Sequence, residues 1–557
     1  MPCVFSASVS SRALPALLHH LARTYHADLL LCGPLAPAAA PRTERSIAGI
    51  APVRELELHT DTPREHLHDF CFTPCATAVS GTIGYLNYTG GLARYDIRSD
   101  KSENGQDGRP EEWPDKWSDN VSDNWPDDRS DVRPDDRPEN SPNGRSDQKP
   151  ENRPEDTPES KPADRQKDLP EGLFRQYAIQ LIISPAQEPC SPPHSVDGTA
   201  GTDTGSHTAR HDSRHDSGHN DDHDKGHGKE HSLECHTAEI LPDSLCGKQS
   251  AALIDELKAL CTGVIPPDPI PAHVAPLSRD ALSRRLRQSL DRKGYVRRVE
   301  RVLEHIRDGD TYQLNLSTRF DADLSGTGFD PLTFFMHMWD QHPAPFYAWL
   351  SHGSTRIIST SPERFLCVRD GQVLSQPIKG TLEFESFTEG MEKALTASPK
   401  ESAELSMIVD LIRNDIAACC EYGSVQVSAH KETFTVDRLI QMYSDVRGTL
   451  RSGSTCLDLL LDAFPGGSVT GCPKQRTMRI IEKEEPHSRG LYCGSVVFIE
   501  DPQNMDSSIA IRTGWYDSIT KALCFFSGSG IVLDSNPESE YRETLAKAGK
   551  FLRALAP

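Results

Sequence analysis

The chain has 557 residues and a net charge of -22, with 7% aromatic residues and a mean hydropathy of -0.54, so much of it lies outside any packed core. No apolar run is long enough to span a bilayer, and no short apolar stretch with a small-residue cleavage site marks a secretory signal. The fifteen cysteines are scattered, without a Cys-x-x-Cys pair, which argues against a zinc site or a disulfide framework and for a reducing cytoplasm.

Met1 to Thr24 carries Arg12, Arg23 and several serines but no acid, a weak likeness to an organellar transit segment. Leu14 to Leu21, however, reads as an amphipathic helix running into a strand at Asp28 to Gly33, as a folded start would. Residues 46–52, 81–88 and 176–183 read as further strands. Residues 99–171 have almost no Ile, Leu, Val or Phe and supply about ten of the net -22 charges. From Pro114 to Pro162 a Pro or Ser recurs every fourth residue, a composition that cannot offset its chain entropy by burial. His207, His211, His215, His219, His223, His227 and His231 repeat the spacing of four. On a helix they would line one face able to bind Zn or Ni, but the intervening Gly, Asp and Ser oppose helix. The expected division is an N-terminal part at 1–98, a disordered insert at 99–171 and a completing strand at 172–190. A His-rich disordered insert at 191–236, a linker at 237–290 and a catalytic part at 291–557 follow.

From Tyr295 the pattern tightens. Apolar residues recurring at three and four predict a helix over Val299 to Ile306, closed by Asp308-Gly309, and Asp310 to Ser317 alternates as a strand. Next come Ser359-Thr360-Ser361-Pro362-Glu363-Arg364-Phe365 and Gln376-Pro377-Ile378-Lys379-Gly380-Thr381. A carboxyl with a raised pKa can protonate a poor leaving group, and a lysine becomes nucleophilic when desolvation or a nearby cation lowers its pKa. Glu401 and Glu404, then Glu540 and Glu543, are pairs at a spacing that shares one helical face; taken alone, such pairs usually mark a solvated surface. Small residues in Pro465 to Lys474 allow close backbone approach, and Arg512 offers a planar fork for a carboxylate. Gly528-Ser529-Gly530 can present backbone N–H groups to an anion.

Together these motifs resemble the chorismate-utilising enzymes, strongly from Tyr295 to the C-terminus and weakly before it. Lys379 makes the chain most similar to the aminodeoxychorismate synthase component I branch, since anthranilate synthases carry alanine there. The resemblance implies an α+β fold of the anthranilate synthase component I type, two packed antiparallel sheets with outer helices, carrying the two disordered inserts. It implies that Lys379 is the nucleophile and that Glu363 protonates the departing C4 hydroxyl. Mg²⁺ would be held directly by Glu404 and Glu543 and through water by Glu401 and Glu540, gripping the ring carboxylate. Ser468, Thr470, Gly471, Tyr492, Arg512, Gly528, Gly530 and Lys547 would contact substrate.

Isochorismate and salicylate synthases carry a water-activating lysine at the position aligned with Leu314, so addition of water is not expected. The chain departs from the family at Leu405, at Gln441-Met442-Tyr443-Ser444-Asp445, where His-Leu-Val-Ser-Thr is usual, and at Cys472. The reaction implied is chorismate plus ammonia to 4-amino-4-deoxychorismate, towards 4-aminobenzoate and folate. No cysteine sits in a Gly-x-Cys-x-Gly elbow, so the ammonia is expected from a separate glutamine amidotransferase subunit. No nucleic-acid or membrane partner is expected. The rival readings are anthranilate synthase component I, and a His-rich metal-binding or scaffold protein whose chorismate fold is vestigial.

Overall fold

The computed structural model describes residues 5–10, 13–32, 46–59, 62–73, 81–88, 169–185, 235–242, 248–271, 277–341, 344–384, 388, 390–436 and 439–557. The Pro/Asp-rich and His-rich repeats lie outside them. Leu14, Leu17, Leu18 and Leu21 put one face of the helix Leu14–Thr24 into the core, and the strand Asp28–Cys32 follows as the sequence pattern predicts.

Two long strands organise the molecule. Ser46–Leu58 and Gly172–Pro185 pair antiparallel from Ser46↔Ile183 to Leu58↔Gly172, with a bulge between Pro52 and Arg54. The other edge of Gly172–Pro185 takes Thr82–Leu86 at one end and Cys235–Pro242 at the other, so two antiparallel wings diverge from it. One wing runs from Ser46–Leu58 through Asp28–Cys32, Phe346–His352, Thr355–Ser361, Thr513–Asp517 and Ala522–Ile531 to Gln313–Asp323. The other runs from Thr82–Leu86 through Ser495–Asp501, Asn504–Ile509, Arg364–Arg369 and Gln372–Ser375 to Leu439–Thr449. That last strand also pairs with Ile378–Glu383 and with Gln426–Val436. The architecture is therefore α+β with antiparallel sheets, and helices cover the wings.

Two apolar clusters hold it. One is buried under Leu14–Thr24, Arg292–Arg307, Pro331–Gln341 and Pro537–Leu555 and includes a Phe320, Phe525 and Phe551 stack with centroids 5.0 Å apart. The second packs Pro399–Ala417 and Cys456–Ala463 on the other wing. Burial of this extent is the main favourable term in folding.

The expected linker at 237–290 is corrected. Cys235–Pro242 is a strand bonded on both edges, and Lys248–Cys261 is a helix that buries Ile254, Leu257 and Leu260. Alternation in His236-Thr237-Ala238-Glu239-Ile240 is short and sits beside low-complexity sequence, so it was masked by its neighbour. No described helix is long and apolar enough to cross a membrane.

Candidate active site

The far ends of the two wings meet around Lys379. Its strand, Ile378–Glu383, pairs with Leu439–Thr449, and the register slips between Lys379 and Thr381. Gly380 makes this possible: it has φ +74°, and a Cβ there would lie 3.2 Å from Glu401 Oε2 and from Leu395. Lys379 Nζ points to the carbonyl of Ser468 at 3.4 Å, in the short 3₁₀ turn Gly467–Val469.

Glu363 sits in the connection between Thr355–Ser361 and Arg364–Arg369 and is buried, 6% exposed. Burial pushes its carboxyl up to about 7, against the lowering pull of a hydrogen bond from the Ser468 side chain and of the Lys379 and Lys547 ammoniums. Ser468 therefore touches Lys379 through its carbonyl and Glu363 through its side chain. A buried polar bridge runs beneath both. Arg364 pairs with Asp506 and donates to Gln376 Oε1 at 2.8 Å, Gln376 Nε2 donates to Asp445 at 2.8 Å, and Arg447 closes on Asp445 at 2.7 Å. Asp445, one of the departures from the family pattern, is thus accounted for by two partners.

The strand Gln313–Asp323 brings a correction. Leu314, taken as the counterpart of a water-activating lysine, is fully buried in the apolar core and pairs with Gly471 and Ile531. The side chain that faces the site is Gln313, one residue earlier, because a slip of one residue on a strand changes the face. A Cβ on Gly530 would lie 3.0 Å from Gln313 Nε2, 3.8 Å from Lys379 Nζ and 3.9 Å from Glu404 Oε2, so these three groups converge where Gly530 leaves room. Gln313 Oε1 is buried without a hydrogen-bond partner among the described residues. Gln313 is an amide and, like Leu314, offers no basic nitrogen at this position.

Gly528-Ser529-Gly530 lies on an extended strand rather than in a turn. Gly528 and Gly530 pair with Ser317 and Asn315 inside an antiparallel ladder and neither has a positive φ, so alternating backbone directions replace a concave set of N–H groups. Their use is the missing side chain. Thr470 is 1% exposed and its hydroxyl donates within its own loop to the carbonyls of Gly466 and Gly467, which makes it a brace for the turn. Gly471 continues that loop into the short strand Gly471–Cys472. Lys474, closing the same motif, is bonded to Asp415 and the Ala463 carbonyl and points away from the site.

The four glutamates stand within the first two turns of Pro399–Ala417 and Pro537–Leu555 as the spacing predicts; Glu401 and Glu540 lie in the first turn, where a helix N-terminus favours negative charge. Glu404 and Glu540 are 8% and 1% exposed. Burial raises Glu404, countered by Lys379 and Lys400; burial also works on Glu543, but Lys547 outweighs it and the carboxyl is held low. Lys547 Nζ lies 2.6 Å from Glu543 and 3.4 Å from the Gly528 carbonyl. Lys400 Nζ lies 3.5 Å from Glu540 Oε1. Glu540 Oε1 also accepts from Ser535 at 2.7 Å, whereas Oε2 has no partner among the described residues. An all-carboxylate set with a buried, unsatisfied acceptor fits a hard cation that keeps its waters, since a metal-bound water would donate to Oε2. Among the described residues, the three-ligand group within 4.8 Å is Glu55, Glu57 and His352, two of them exposed, and not these four, between which two lysines are inserted.

Arg512 has φ +50°, held by Thr360, whose N–H and hydroxyl both donate to its carbonyl. No carboxylate pairs with its guanidinium among the described residues, and burial lowers its pKa. Tyr492 stacks on Phe526 at 5.1 Å and lies near that guanidinium. Beneath, Arg489 is fully enclosed: it pairs with Glu485, donates to the carbonyls of Val469 and Asn315, and lies over the Tyr88 ring at 4.8 Å. Lys400, Gln376, Gln313 and Arg489 were not singled out from sequence; for Gln313 the alternation of its strand was the available signal. Leu405 is buried in the core, so no polar group from that position reaches the site. A separate, partly open pocket lined among others by Leu30, Ile47, Phe346, Phe498 and Asp506 contains none of the expected site residues.

The family model for chorismate binding enzymes matches residues 146–553. Among curated proteins, the chain is 38% identical over 293 residues to aminodeoxychorismate synthase component 1 of Klebsiella aerogenes, covering 51% of this chain and 63% of that protein. It is 39% identical over 273 residues to the protein of the same name from Escherichia coli K12, with 48% and 58% covered. Anthranilate synthase component 1 of Aquifex aeolicus is 37% identical over 260 residues, with 46% and 52% covered. The matched region thus spans somewhat over half the length of these relatives. Among solved structures, anthranilate synthase component I from Streptococcus pneumoniae superposes with TM-score 0.60 at 22% identity, over 93% of this chain and 94% of that one. The menaquinone-specific isochorismate synthase MenF of Escherichia coli gives 0.59 at 12% identity, over 99% and 94%. These likenesses establish the anthranilate synthase component I type of fold.

Proposed function

The chain belongs to the chorismate binding enzyme family, and from that premise we propose that it is an aminodeoxychorismate synthase, converting chorismate and ammonia to 4-amino-4-deoxychorismate. The observation that carries this reading is the pairing of Lys379 and Glu363 across Ser468, with the carboxyl pushed up to about 7. A carboxyl protonated near neutral pH can donate to the C4 hydroxyl, which then leaves as water, while the Lys379 nitrogen, having given its ammonium proton to solvent, attacks C2. Ammonia attacks C4 next, the ring double bond shifts back, and Lys379 departs from C2, so the enolpyruvyl group is retained.

Arg512, with no carboxylate of its own, suits the enolpyruvyl carboxylate, and Tyr492 flanks it. Ser468 and the glycines at 471, 528 and 530 shape the walls, Thr470 braces the loop, and Lys547 reaches in from its helix. Glu404 and Glu543 would hold Mg²⁺ directly, with Glu401 and Glu540 acting through water; the ion would supply positive charge for the ring carboxylate. The thiols offer no rival nucleophile at the site: burial pushes Cys493 up to about 12 and also raises Cys472. The names of the component 1 relatives support a partner component, here proposed to be a glutamine amidotransferase that delivers ammonia.

Incubating the pure chain with chorismate, Mg²⁺ and ammonium, then identifying products by mass, tests the reading. Aminodeoxychorismate supports it. Anthranilate would favour the second reading, which the 37% identity to an anthranilate synthase component 1 keeps in view, and no turnover would favour the scaffold.

A further inference from the structure

Lys400 precedes Glu401 at the start of Pro399–Ala417 and reaches across to the facing helix, where its ammonium lies 3.5 Å from Glu540 Oε1. The same carboxylate carries the buried oxygen that has no hydrogen-bond partner among the described residues. The Lys400 side chain is 42% exposed on a flexible stem, whereas of the other two lysines here Lys547 is bonded to Glu543 and to the Gly528 carbonyl, and Lys379 to the Ser468 carbonyl. We propose that Lys400 is a resident counter-cation: in the metal-free protein its ammonium occupies the place of the divalent ion among the four glutamates, and the ion must displace it to bind. This rests on the metal reading above.

Four carboxylates from two helix starts repel one another, and one ammonium offsets only part of that repulsion. A divalent ion with its waters brings twice the charge and a donor for the unsatisfied oxygen, so exchange is favourable, but weaker than binding to an empty site. The sign of the effect is diagnostic. Losing a lysine that merely supports the helix start would leave metal binding unchanged or weaker, whereas losing a competitor makes it tighter.

The test uses the full chain without chorismate. Mn²⁺ binding is read from the spin-resonance signal of the free aqua ion, and the melting temperature is followed against Mg²⁺. Lys400→Met is expected to bind Mn²⁺ about tenfold more tightly than the parent. It should also melt lower than the parent without metal and recover at saturating Mg²⁺, while Lys400→Arg should bind as the parent does. Lys400→Gln gives the same readout should the methionine variant fail to fold. Equal or weaker binding by the neutral variants overturns the displacement and leaves the metal site standing. Absence of binding to parent and variants alike overturns both.

Discussion

The two sides of the pocket differ in what stands beside their carboxylates. On one, Glu363 has no arginine or lysine bonded to it among the described residues, burial dominates, and the carboxyl rises to about 7. On the other, four glutamates share Lys400 and Lys547: burial still raises Glu404, whereas Glu543, half-exposed and bonded to Lys547, is held below its ordinary value. The same residue type thus leans towards its protonated form where desolvation wins and towards its charged form where a bonded cation wins. Lys379 stands between the two sides, near both Glu363 and Glu404.

The sharpest way to break this contrast is to remove its shared member. Lys379→Ala should lower formation of aminodeoxychorismate by about a thousandfold or more while chorismate affinity stays near the parental value, because a nucleophile acts on the barrier. Steady-state product assays with a binding titration read both. Parental turnover would dismiss the covalent role.

Next, Glu363→Gln should lower turnover by about a hundredfold or more, the range of a positioned general acid. In the parent the donor must be protonated, so the rate should fall as pH rises above about 7. Stability carries a matching sign. With its pKa raised from 4.5 to about 7, folded Glu363 holds a proton that the unfolded chain has lost in that window, so its favourable contribution is present below and lost as pH rises through it. The loss amounts to about 3 kcal/mol, and Glu363→Gln should abolish it in denaturant titrations at pH 5 and pH 8. A parental pH dependence in that variant would mean that another group titrates.

The charge-rich side should answer to metal instead. Glu404→Gln and Glu543→Gln are expected to raise the half-saturating Mg²⁺ for activity by about tenfold, well above the effect of Glu401→Gln or Glu540→Gln, since an inner charge feels the ion more strongly. Four variants that all titrate like the parent would remove the metal from this side. The smallest effect belongs to the inserts. Deleting 99–168, 191–233 or both should change the turnover by less than about twofold. The cuts stop short of Leu169, whose carbonyl bonds Asn87, and of Cys235, where a strand begins. A large loss in a folded deletion would tie the inserts to the pocket or to the partner.

Legibility was uneven for physical reasons. The strands flanking the first insert and the helices bearing the glutamate pairs were readable because periodicity of two or three to four is a local property of the chain. The strand at Cys235–Pro242 was hidden by composition, although its Ala238 and Ile240 are fully buried. Gly528-Ser529-Gly530 read as an anion cradle because glycine permits one, but the ladder with Gln313–Asp323 holds it extended.

By itself the sequence determined the order and spacing of the motifs: Lys379, Glu363, Arg512 and the two glutamate pairs have the functional groups that the proposed reaction would use, and each motif is contiguous. Only the tertiary structure decided that Gln313 rather than Leu314 faces Lys379, since the face of a strand depends on which side the core lies. It also decided that Lys400 stands opposite Glu540 across 140 residues of chain, and that Gln376 joins Arg364 to Asp445. Those relations come from long-range packing, and the charge state of a carboxyl follows from what packing places beside it.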